Sequence, residues 1–122
     1  GEYEVQILDS FGKEKVGAGD VGGLYGAAAP RVNAARAPGE WQTLKIEFRA
    51  PRLDGEGKKV ENGDATFVKV ELNGRIIHEN VVLKKPTPGG LTGKDVSTGP
   101  LLLQGDHGPA AFRNLRVTEG IR

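Results

Sequence analysis

The sequence predicts an all-β fold, and three features carry that prediction. Nineteen glycines and seven prolines among 122 residues break up any long helical phase. The stretches 2–9, 41–49 and 66–72 alternate side chains with period two, the repeat of a strand with one face on a core. Asn73-Gly74 sits between two such runs. That pair marks a two-residue hairpin whose central residues both take positive φ.

Taken in order, Glu2–Asp9 is expected to be the first strand, with Tyr3, Val5 and Ile7 on the core face. Glu2, Glu4, Gln6 and Leu8 then share the other face, and a β-bulge near Leu8 returns Asp9 to it. Ser10–Gly23 is a glycine-rich loop, but it does not follow a strand and open a helix as a phosphate-binding loop does. Leu24–Ala28 is a short strand containing Tyr25, and 29–40 is a surface loop. From Trp41 to Arg49, the pattern sends Leu44, Ile46 and Phe48 inward and Thr43, Lys45, Glu47 and Arg49 outward. The carboxylates of the 51–63 loop lack the spacing of an EF-hand. Thr66, Val68, Val70 and Leu72 alternate up to the hairpin, and residues 75–83 return, with His78 read as an ordinary exposed strand residue. A long loop, 84–99, has the length of a functional rim. The expected core is Val5, Ile7, Leu44, Ile46, Phe48, Val68, Val70, Leu72, Leu102 and Leu115.

Composition excludes several classes of function. Net charge is +1 and the 17 basic residues are scattered, without the clustered stripe that a nucleic-acid surface needs. No apolar run approaches the roughly 20 residues that span a bilayer as a helix. Cysteine is absent, which removes disulfides and thiolate metal sites. Methionine is absent too and the chain opens on Gly1, so a processed or trimmed product or a fragment is expected. Residues 1–122 read as a single domain, with no repeat and no dividing linker.

The chemistry concentrates near the C-terminus. Leu101–Leu103 reads as a strand buried on both sides, ending at Gln104. Residues 105–109 (Gly-Asp-His-Gly-Pro) make a tight connection to a second strand, with Leu115 and Val117 on one face and Phe112 and Asn114 on the other. This gathers Gln104, Asp106, His107, Arg113 and Asn114: a carboxylate, an imidazole that titrates near neutrality and a fork of donors. The plainer reading of Asp106 is a turn cap, and that of Trp41 is packing at a strand start rather than stacking on a sugar ring.

Three segments resemble the 3-keto-disaccharide hydrolase domain family: Tyr3–Ser10, Pro38–Gln42, and Leu102–Pro109 with Phe112–Asn114. Gly19-Asp20 before Leu24–Gly26 and the Asn73-Gly74 hairpin follow the same order. The resemblance implies a concanavalin-like jelly roll, two curved antiparallel sheets with a ligand site on the concave face. It implies action on oxidised glycosides by secreted, periplasmic or cell-surface proteins. The family's domain begins well before the segment matching Tyr3, so the sandwich is expected to be incomplete in this chain and completed by a second chain or an N-terminal fragment. Glu4, Gln6 and Asp9 are spaced E-x-Q-x-x-D, similar to the E-x-D-x-x-E strand of laminarinase-type glycosidases. The amide at position 6 argues against hydrolysis by two carboxylates. A 3-keto sugar does not need that route, because its ketone acidifies the adjacent C–H.

On this reading Glu4 or His107 is the base, and Asp106 orients His107. Gln6, Asp9, Tyr25, Trp41, Gln104 and Arg113 are the candidate saccharide-binding residues. No cofactor is required by the sequence, and the question of a divalent cation stays open. The alternative is a non-catalytic carbohydrate-binding or structural module on the same fold, completed by strands from another chain in an oligomer or filament.

Overall fold

A computed structural model describes residues 1–120. Three strands make one antiparallel sheet in the order β1-β2-β3: β1 Leu44–Arg49, β2 Ala65–Leu72 and β3 Arg75–Leu83. No helix occurs among the described residues. The hairpin forms where the sequence places it: Leu72 pairs with Arg75, and Asn73 and Gly74 adopt φ of 53° and 80°. Asn73 also ties the hairpin to the approach of β1. Its side chain accepts from the Thr43 amide and donates to Ala34 O and Gln42.

Two bulges set which residues the sheet buries. Ile46 pairs with Val70 and Glu47 with Lys69, but Phe48 pairs with Phe67, leaving Val68 as the extra residue of β2. Inward residues are therefore Ala65 and Phe67 before the bulge and Val70 and Leu72 after it, while Val68 is only half-buried. The second bulge lies between the pairs Val70–His78 and Glu71–Ile76, so that Ile77 is the extra residue of β3. Consecutive residues Ile77 and His78 are both buried as a result.

The core lies between β2, β3 and the glycine-rich loop rather than between two sheets. It comprises Val21, Leu24, Ala34, Ala65, Phe67, Val70, Leu72, Ile77 and Leu83, with Tyr3, Val5, Ala28, Ala35 and Val81 packed against it. The loop can come this close because Gly22 has no side chain. At φ 76°, a Cβ there would lie 2.4 Å from Ile77 Cδ1. Gln6 anchors the same loop through Gly23 O, Gly22 N and Gly19 O. The long 84–99 loop clamps the N-terminal segment. Thr87 bonds Glu2 O and the Glu4 amide, and Asp95 accepts from the Tyr3 hydroxyl while paired with Lys59. Burial, then that carboxylate, push the Tyr3 hydroxyl well above the ordinary phenol range.

Several sequence expectations are corrected. Residues 2–9 hold a single bridge, Val5 to Leu24, rather than a regular strand, and Gln6 is buried while Ile7 is half-buried. A second bridge joins Leu24 to Ala28, so that the expected short strand is a tight turn. Leu101–Leu103 and 112–117 form no strand, and Leu102 is 77% exposed and Leu115 59%. Their backbones find no backbone partner among the described residues, so nothing fixes an extended ladder. Every residue of β1 is exposed, including Leu44, Ile46 and Phe48 from the expected core. Phe48 still touches Tyr3 and Phe67, at ring-centroid distances of 5.2 and 4.9 Å. The apolar face of β1 is thus formed but uncovered.

His78 is also corrected, from exposed to 3% exposed. Its Nε2 lies 2.7 Å from Gly22 O and donates to it. Burial lowers its pKa below the ordinary 6.5, with a further push from Arg31 and only partial opposition from the Gly22 bond. The unfolded chain therefore binds the extra proton first, and stability falls as pH drops below about 6.5. Denaturant midpoints measured across that range should show this slope, and His78→Gln should flatten it.

Candidate functional site

The site is built around one side-chain amide. Gln104 Oε1 accepts from the Ile7 amide at 2.7 Å, which docks the exposed C-terminal segment onto the N-terminal one. This bond also fixes the amide's orientation and turns Nε2 toward the side chains of 4 and 6. Nε2 lies 2.8 Å from Glu4 Oε1, 2.7 Å from Gln6 Oε1 and 3.0 Å from His107 Nδ1. His107 Nδ1 in turn lies 2.8 Å from Asp106 Oδ1. Of the residues the sequence gathers at 104–114, Gln104, Asp106 and His107 meet here with Glu4 and Gln6, whereas Arg113 and Asn114 make no hydrogen bond to them among the described residues.

The protons follow from the chemistry of the groups. Asp106 is held below the usual carboxylate range, chiefly by its hydrogen bond to His107. An ionised carboxylate only accepts, so the imidazole proton belongs on Nδ1. Gln104 then gives its two hydrogens to Glu4 and Gln6, with the imidazole as a packing neighbour. In the neutral tautomer that matches this pattern the lone pair lies on Nε2 of His107. No protein group among the described residues engages it, and the ring is 38% exposed. Glu4 is displaced the other way. Burial and then a hydrogen bond to Glu2 raise its pKa, against smaller lowering effects of Gln104 and His107. The cluster therefore pairs an open nitrogen base with a carboxyl group biased toward its protonated form.

The other candidate residues lie outside this hydrogen-bonded group. The Arg113 guanidinium stacks over the Trp41 ring, 3.8 Å from its centroid, and so covers one aromatic face. Asp9 accepts from the Phe11 amide, a local turn bond, and is exposed. Tyr25 is half-buried and joins the N-terminal segment through its backbone, Tyr25 N to Glu4 O at 3.2 Å. Glu2 is the functional neighbour that sequence reasoning missed. Its signal was present, since residues two apart in an extended segment share a face. Among the described residues, no group of three or more His, Asp or Glu side chains is placed to hold a metal ion.

Comparison with known proteins agrees with a carbohydrate-active domain. No curated protein matches the chain. A solved structure, that of a candidate glycosyl hydrolase from Parabacteroides distasonis, is 30% identical, with a TM-score of 0.68. The match covers 82% of this chain but 42% of that one, so the chain spans less than half of its neighbour's length. The 3-keto-alpha-glucoside-1,2-lyase-like domain matches residues 1–118, and the chain belongs to that family.

Proposed function

We propose that the chain carries the reactive surface of an enzyme that cleaves 3-keto-glycosides, within a concanavalin-like jelly roll whose other strands come from another polypeptide segment. The observation that carries this reading is the placement of His107 and Glu4 about the Gln104 amide, one as a bare base and one as a carboxyl with a raised pKa. His107 Nε2 removes the proton from C2, beside the C3 ketone. The C2–H electron pair forms the C1=C2 bond as the C1–O glycosidic bond breaks. Glu4 gives its proton to the departing oxygen, which leaves as an alcohol. Water then adds to C1, returning a proton to C2 and leaving a 3-keto sugar. Asp106 keeps the imidazole in the productive tautomer, and Gln6 and Gln104 hold the Glu4 carboxyl and sugar hydroxyls.

The exposed apolar face of β1 supports the need for completing strands. A site of action outside the cytoplasm, secreted, periplasmic or at the cell surface, is part of this reading and is supported by the carbohydrate-related family. The test is turnover of a p-nitrophenyl 3-keto-glucoside by the assembled protein. Release of nitrophenol with the keto sugar, and none from the unoxidised glucoside, is the expected result. Saturable binding without release would leave a binding module.

A further inference from the structure

On the sheet face opposite Phe48 there is a depression of about 340 Å³. Arg49, Asn62, Asp64, Asn80, Val82 and Lys84 line it. Arg49 follows Phe48 along β1 and so points to the other side of the sheet, away from Tyr3 and the segment that carries the Gln104 cluster.

The charges are unevenly matched. Asp64 is held by two ammonium groups, Lys59 at 2.6 Å and Lys84 at 2.7 Å, which keep it ionised and balanced. Arg49 has no carboxylate within salt-bridge distance among the described residues. The carboxamides of Asn62 and Asn80 likewise have no protein partner there, and each can both donate and accept. Both asparagines hold positive φ, 53° and 51°, and both border the depression. Val82, half exposed, supplies an apolar wall.

A planar guanidinium matches a carboxylate through two parallel hydrogen bonds. Two free carboxamides match vicinal hydroxyls, and the valine surface suits the C–H face of a sugar ring. Lys84 and Asp64 already neutralise each other, which leaves Arg49 as the unpaired cation of the lining and suits a single negative charge. The volume is at the lower end for small-molecule sites, enough for one sugar unit. We propose that this depression binds a carboxylate-bearing monosaccharide unit, a uronate, independently of the reaction at His107.

Calorimetric titration of the assembled protein with methyl β-glucuronide, methyl β-glucoside, acetate and inorganic phosphate tests the proposal. The glucuronide should bind at least about tenfold more tightly than the other three, and Arg49→Gln should weaken it at least about tenfold. Arg49→Lys should lose affinity as well, because the ammonium lacks the fork. Turnover of the 3-keto-glucoside should be unaffected by Arg49→Gln. If that variant fails to fold, Asn80→Asp, which tolerates the same φ and adds a repelling charge, should produce the same loss. Equal affinity for glucuronide and glucoside would overturn the proposal, as would equal affinity for acetate or phosphate. So would unchanged binding in the folded variants, or no glucuronide binding at all.

Discussion

Replacing His107 with alanine is expected to lower turnover of the 3-keto-glucoside by about a hundredfold or more, since a positioned base contributes that much. Glu4→Gln should cost a similar factor, for a different reason. Glutamine keeps the hydrogen-bonding geometry with Gln104 but has no proton to give the departing oxygen. The two variants should differ in pH dependence. In the unaltered protein the rate should fall as pH rises through the pKa of Glu4, which burial and Glu2 hold above the usual carboxylate value. Glu4→Gln should remove that fall, whereas the residual rate of His107→Ala should keep it. Steady-state rates with a p-nitrophenyl 3-keto-glucoside across pH would read both effects. Unchanged rates in both variants would remove the catalytic assignment and leave a binding surface.

The second large effect concerns assembly. Purified alone, the chain is expected to run above its 13.0 kDa mass in light scattering. Ile46 is 43% exposed on a fully exposed β1, and Leu101, Leu102, Leu115 and Val117 are more exposed still. Burying such side chains is worth roughly 1.5–3 kcal/mol each, so contact among them is strongly favoured. The outer edge of β1 also offers unpaired backbone groups to any incoming strand. Ile46→Lys with Leu102→Lys should reduce the scattering mass toward the monomer without disturbing the core, which contains neither residue. A cooperatively melting monomer of the unaltered chain would refute this prediction.

Local chemistry was legible in the sequence where neighbouring residues decide the outcome. Asn73-Gly74 required a turn with two positive φ angles, and the structure has them. Period-two patterns located β1 and most of β2, because a strand's side chains alternate whatever surrounds it. The dense polar group at 104–107 and the polar face of 4 and 6 were visible as residue types, and the Gln104–Ile7 bond joins them across 97 positions. That joining was not legible from spacing, since a bond so distant in sequence depends on the path of the chain between. Nor were the bulges at Val68 and Ile77, which buried Phe67 and His78 against the simple alternation. The glycine loop became a core wall because Gly22 admits the Ile77 side chain, a property of packing rather than of any motif. Leu101–Leu103 shows the limit most clearly: its apolarity was legible, but burial needs a covering surface, and none of the described residues provides one.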